Sequence, residues 1–198
     1  MAEIKTMKIN DLKVTLIPGV EKDDRNIKGW DMFPREYPNV MLWAKKHSGK
    51  TVCVFNILKQ RVDKDTMLIF FVPTIYNDKG WKAIIKYFKR KGNPIQIYTG
   101  IKGDGIDQLE PIVKALQEEA KERAEEEDAP IEEKERQVLK FDSESDSEEE
   151  KPRKKKYKTP KFCFVFDDIS DELRSPSLVS LIKKNRHFEA MTILSSRT

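Results

Sequence analysis

Four short runs constrain the fold more than any other feature of the sequence: "NVMLW" (Asn39–Trp43), "TMLIFFV" (Thr66–Val72), "FCFVFDD" (Phe162–Asp168) and "AMTILSS" (Ala190–Ser196). Each is of strand length and shows little polar alternation. A strand without a polar face belongs inside a sheet covered on both sides. The segments between them have helical character. "TVCVFNILKQRV" is apolar on most sides over a helical length, and "KGWKAIIKYFKRKG" sets Trp81, Ile84, Ile85 and Phe88 opposite its lysines and stops at Gly92. "PIQIY" predicts one more short strand. Ile106, Leu109, Ile112, Val113, Leu116 and Ala120 then continue a helical stripe, and in "SPSLVSLIKKN" Ser175 is placed as N-cap with Pro176 at the first helical position. Strands alternating with helices predict an α/β fold, a mostly parallel sheet with helices on both faces. "KVTLIP", Lys13 to Pro18, alternates and predicts an early strand.

Charge divides the chain. Between Glu118 and Glu150 there are 16 acidic and 5 basic residues, so with a formal net charge of +4 over all 198 residues the remainder carries +15. A basic folded part suits a polyanionic partner: nucleotide, nucleic acid or an acidic protein surface. "FDSESDSEEE" followed by "KPRKKKYK" has the composition of a disordered insertion, its serines set among acids that could direct phosphorylation. The basic run is either a DNA-contacting or nuclear-targeting tract or the counter-charge of the acids before it. The expected organisation is an N-terminal strand and irregular segment over 1–37, the first part of a domain over 38–117, the charged insertion over 118–159 and the second part over 160–198. No run reaches the roughly 20 apolar residues of a membrane span, and the N-terminus carries charges where a secretory signal would be apolar, so a soluble, intracellular protein is expected. Cys53 and Cys163 lie in apolar runs without metal-type spacing to His47 or His187, and both are expected as reduced core residues.

"AKKHSGKT", Ala44 to Thr51, stands between the first strand and the first helix. A loop that turns backbone N–H groups inward ahead of a helix cradles phosphates; a lysine neutralises them and a hydroxyl coordinates Mg²⁺. Ala44, Lys45, Lys46, His47, Ser48, Gly49, Lys50 and Thr51 are the candidate nucleotide-binding residues. Ala44 stands where the usual motif has glycine, a change of one methyl group. The alternative is a lysine-rich surface turn. In "FCFVFDD" an apolar strand delivers Asp167 to its carboxyl end, where it can hold Mg²⁺ through water, and Asp168 can orient or deprotonate the attacking water. The alternative there is an acidic turn and helix cap.

"AKKHSGKT", "FCFVFDDIS" and "LVSLIKKNRHFEAMTILSS" together resemble the viral branch of the FtsK/HerA-like ATPases, the genome-packaging ATPases of large DNA viruses and virophages, over roughly Val40 to Arg197. The resemblance implies a P-loop NTPase fold of the RecA/ASCE-like kind. It implies ATP and Mg²⁺ as cofactors, with Lys50 and Thr51 on the phosphates and metal, Asp167 completing the metal site and Asp168 as catalytic acid–base residue. Ser196 and Arg197 fall at the place of a γ-phosphate sensor, where the family commonly has glutamine. It further implies double-stranded DNA and capsid or portal-vertex proteins as partners, a homo-oligomeric ring with an arginine supplied by the adjacent subunit, and residence in the host cytoplasm, viral factory or virion. The family continues through at least one further strand and helix, so one edge beside the phosphate-loop strand would need cover from the Lys13–Pro18 strand or a neighbouring subunit. Two other functions share parts of this pattern: a nucleotide-binding regulatory or capsid-interaction subunit that does not cycle, and a small-molecule or nucleotide kinase, which would not need paired aspartates.

Overall fold

The computed structural model describes residues 27–103, 105–127 and 157–196. Five strands form one parallel sheet: β1 (Asn39–Trp43), β2 (Met67–Phe71), β3 (Ile95–Tyr98), β6 (Phe162–Asp167) and β7 (Ala190–Ser196), in the order β1-β7-β6-β2-β3. Among the described residues four helices connect or flank them: α1 (Lys50–Arg61), α2 (Lys79–Lys91), α3 (Leu109–Glu127) and α4 (Pro176–Lys184). The α/β architecture with helices on both faces is therefore as the apolar runs require.

The two-residue period of the strands sorts the core into layers. Leu68, Phe70, Cys163, Val165, Met191 and Ile193 point to the face covered by Val54, Ile57 and Leu58 of α1 and by Trp81, Ile84 and Phe88 of α2. Ile69, Phe71, Phe164, Phe166, Ala190 and Leu194 point to the opposite face, under Leu109, Val113 and Leu116 of α3 and Leu178 and Leu181 of α4. On that second face Phe71 stacks on Tyr98 at 4.8 Å and on Phe166 at 4.9 Å between centroids, each stack adding about 0.5–1.5 kcal/mol beyond burial. Asp78 caps α2 by accepting from the amides of Gly80 and Trp81, and Gly92 closes it at φ 91°.

Several expectations are corrected. β1 is an edge strand, not a fully buried one: Met41 and Trp43 are 54 % and 57 % exposed. Among the described residues β1 pairs only with β7; on the face bearing Met41 and Trp43, α4 reaches Asn39, whose Nδ2 donates to Ile182 O at 3.0 Å, while Met41 and Trp43 stay exposed. α1 is apolar all round in sequence but buries one stripe, so Val52 and Cys53 face outward; Cys53 is exposed, whereas Cys163 is buried and burial pushes its thiol up to about 12. Ile106 does not begin the α3 stripe. It lies in a small antiparallel hairpin of β4 (Lys102–Gly103) and β5 (Ile106–Asp107), where Gly105 takes φ 80°. Residues 118–127, assigned from sequence to the charged insertion, continue α3. Their Ala, Glu, Lys and Arg favour helix, and Arg123 reaches Glu189 at 2.6 Å while Lys161 contacts Glu189 at 3.0 Å and Glu119 at 3.6 Å. Ser175 occupies the N-cap position of α4 without capping it, because its hydroxyl is spent on Asp107 at 3.1 Å and Ser177 at 2.6 Å. The expected Lys13–Pro18 strand, the rest of the charged insertion up to residue 156, and Arg197 lie outside the described residues. No helix among the described residues is long and apolar enough to cross a membrane.

Candidate functional site at the carboxyl end of the sheet

In a parallel sheet every strand delivers its carboxyl end to the same margin, the usual place for ligands in open α/β folds. Here that margin receives the loop after β1, the end of β7 and the two aspartates at the end of β6. β7 lies between the other two, and its register pairs Trp43 with Ser196 on one side and Asp167 with Ser195 on the other.

The loop is anchored where Ala44 N donates to Ser196 O at 3.5 Å, and it turns where Ser48 N donates to Lys45 O at 3.3 Å. His47 at φ 63° and Gly49 at φ 86° both occupy the left-handed region, with Ser48 between them. At Gly49 a Cβ would meet nothing within 4 Å, so backbone conformation and not crowding calls for glycine there. α1 begins immediately afterwards. It has no side-chain cap and no acidic residue in its first turn, which leaves the positive end of the helix uncompensated by protein groups. Lys50 folds back over the loop: its Nζ donates to Ala44 O at 2.7 Å and to Lys45 O at 3.1 Å. Lys45, Lys46, His47, Ser48 and Gly49 are exposed, and Ala44, Lys50 and Thr51 half-buried. Thr51 lies against the start of α2, where Gly80 admits it: a Cβ at Gly80 would come within 3.4 Å of Thr51 Cγ2 and 3.0 Å of Asp78 Oδ1.

Asp167 is buried, at 7 % exposure. Its Oδ2 accepts a hydrogen bond from Trp81 Nε1 at 3.1 Å, and Ser195 Oγ lies close to the carboxylate without a well-formed hydrogen bond. Burial pushes the Asp167 carboxyl above its ordinary range, and the neighbouring charge of Asp168 adds to this; the Trp81 bond and the charge of Lys50 pull the other way. That Lys50 acts on Asp167 at all places the two in one electrostatic neighbourhood. Asp168 is half-buried at φ 55°, with its amide donating to Ser195 O at 2.9 Å.

An acid whose pKa is raised by folding costs stability progressively as the pH rises from its ordinary value to the raised one, and the full cost is present above that. Asp167→Asn should therefore raise the melting temperature at pH 7 by a few degrees, and the gain should vanish as the pH falls below the Asp167 pKa. Thermal melts of both proteins across that range check this. An unchanged or lowered melting temperature at pH 7 would contradict the reading of Asp167 as a buried, destabilising carboxylate.

The structure thus brings Ala44, Lys50, Thr51, Asp167, Asp168 and Ser196 to one margin of the sheet. Ser196 is buried beside the loop's first residue. Sequence reasoning missed Trp81, read as core alone, because nothing local links it to a carboxylate 86 positions away. It also missed Glu172, which accepts from Ile101 N at 2.7 Å and Lys102 N at 3.0 Å and fastens the segment after β3 to the one after β6. No group of three or more His, Cys, Asp or Glu among the described residues is disposed to hold a metal ion. A magnesium site here would accordingly draw on one hydroxyl, Thr51, and the Asp167 carboxylate, with the remaining ligands from phosphate and water. Comparison with family models, with curated proteins and with solved structures yields no match for this chain.

Proposed function

We propose that the chain is an ATP-hydrolysing motor of the P-loop class that translocates double-stranded DNA, as in viral genome packaging. The observation that carries the reading is the convergence of the Lys50 ammonium, an uncapped helix N-terminus and two consecutive aspartates at one margin of a parallel sheet. In this reading the triphosphate takes the place of the two carbonyl oxygens that Lys50 now satisfies, and the free amides of the loop and first turn of α1 donate to it. The residues fit Mg²⁺, which would supply neutralisation of phosphate charge between Thr51 and, through water, Asp167. Trp81 holds one oxygen of Asp167 and so fixes which oxygen faces the site. Asp168, one residue beyond the strand, accepts a proton from the attacking water.

The test is phosphate release from Mg-ATP by the full chain, with and without duplex DNA. Asp168→Asn should lower the rate constant by about 10²-fold or more while leaving ATP binding intact. The motor reading fails if the protein does not hydrolyse ATP, or if activity survives both Lys50→Ala and Asp168→Asn. The burial of Asp167, which disfavours its charged form, supports one second reading: a nucleotide-binding regulatory or capsid-interaction subunit that does not turn over. Tight ATP binding without phosphate release would select it. Phosphate transfer only in the presence of a small acceptor would select a kinase.

A further inference from the structure

α2 carries six cations and no acid along its 13 residues. One of the six, Lys91, is turned inward: its Nζ donates to Val62 O at 3.0 Å and lies 5.9 Å from the Phe88 ring centroid. The other five, Lys79, Lys82, Lys86, Lys89 and Arg90, are exposed, and no described residue forms an ion pair with any of them. Lys82, Lys86, Lys89 and Arg90 wall a shallow groove of about 480 Å³ floored by Ile85 and Ile97. Tyr76, 62 % exposed, stands at its rim.

A solvated helix of ordinary kind intersperses acids with its lysines, since like charges at i and i+4 repel by a few tenths of a kcal/mol per pair. Here Lys82–Lys86 and Lys86–Arg90 are such pairs; the one acid at such spacing, Asp78, stands before Lys82 and is engaged in capping the helix, so an external polyanion would relieve the repulsion along the rest of the row. From Lys82 to Lys89 the helix advances about 10 Å, which spans about three phosphates along the axis of one DNA strand. We propose that this face of α2 is a phosphate-backbone contact for double-stranded DNA, with Lys82, Lys86 and Lys89 each meeting a phosphate. The inference takes from the proposed function only the identity of the polyanion; it needs no ATP turnover. The chain's own acids offer a competing occupant. Of the described acids, those on the last turns of α3 belong to the opposite face of the sheet, where Arg123 and Lys161 already pair with Glu119 and Glu189, and Asp78 is engaged in capping α2.

The experiment measures binding of the full chain to a random-sequence DNA duplex by fluorescence anisotropy over a series of salt concentrations. The triple variant Lys82→Ala/Lys86→Ala/Lys89→Ala should bind at least about tenfold more weakly, and the slope of log Kd against log salt should shrink by about 2.7, three phosphate contacts' worth. The charge-preserving variant with arginine at the same three positions should keep wild-type affinity, which separates charge from folding. An unchanged slope and affinity in the alanine variant overturns the proposal. So does duplex binding that appears only after the acids between Glu144 and Glu150 are neutralised, because the groove would then be occupied by the chain's own acidic segment. ATP-analogue binding measured in parallel keeps the two conclusions apart: a chain that binds duplex through α2 but binds no ATP keeps this inference and removes the motor.

Discussion

Under the proposed function, Lys50→Ala is expected to lower the rate constant of ATP hydrolysis by about 10²–10³-fold and to weaken ATP binding along with it. Among the described residues the lysine is the one cation whose amine is bonded across the loop, 2.7 Å from Ala44 O and 3.1 Å from Lys45 O, and it acts on the Asp167 carboxylate from there. Removing it takes charge from where the terminal phosphates would accumulate it. It also removes two hydrogen bonds that shape the loop, each worth about 0.5–1.5 kcal/mol net, so a modest fall in melting temperature accompanies the kinetic effect without explaining it. Lys50→Arg should not rescue activity, because a planar guanidinium cannot occupy the compact position of an ammonium held by two carbonyls. Steady-state phosphate release together with nucleotide binding by calorimetry checks this. Near wild-type activity in Lys50→Ala would mean that the loop is a surface turn.

The largest effect on stability is expected at Arg61. This residue of α1 is completely buried, and its guanidinium donates to four backbone carbonyls of one segment: Lys28 O at 2.6 Å, Phe33 O at 3.3 Å, Arg35 O at 2.7 Å and Glu36 O at 2.6 Å. The segment makes few regular hydrogen bonds of its own, so the arginine serves as its scaffold, and burial lowers the guanidinium's pKa without displacing it from its partners. Arg61→Leu fills the space but strands those carbonyls, at a cost of about 3–5 kcal/mol. A lysine has three donors on a single atom and cannot reach four carbonyls spread over nine residues, so Arg61→Lys should recover little. Urea unfolding checks both variants through the midpoint. A loss below about 1 kcal/mol in Arg61→Leu would show that the segment holds itself. Because this segment leads directly into the start of β1, its loosening should also loosen the pairing of that edge strand with β7.

The layout of strands and helices was legible because periodicity and punctuation agree: Gly92 marks the end of α2, and the apolar runs mark β2, β6 and β7. What local pattern cannot carry is position within the sheet. "NVMLW" reads like a central strand, yet it stands at the edge, and whether Met41 and Trp43 meet a helix depends on where α4 ends up. The outward turn of Cys53 has the same origin. The hairpin around Gly105 was signalled by its Asp-Gly pair, which a competing helical stripe obscured. At the site, the loop and the aspartates were readable as residue types at fixed offsets. Trp81, Ser195 and Glu172 were not, since their roles arise only when distant segments meet.

The bond from Trp81 to Asp167 also provides the molecule with a built-in optical probe. Trp30 and Trp43 are exposed and should emit at long wavelength, open to collisional quenchers such as iodide. Trp81, at 1 % exposure, should contribute a separate short-wavelength component that iodide does not reach, with its indole N–H tied to the carboxylate at the centre of the site. Protonation of Asp167, or its capture by a cation, would change the field along that N–H and shift the shielded component alone. The occupancy of the site could then be followed in real time in the native protein, with no label attached.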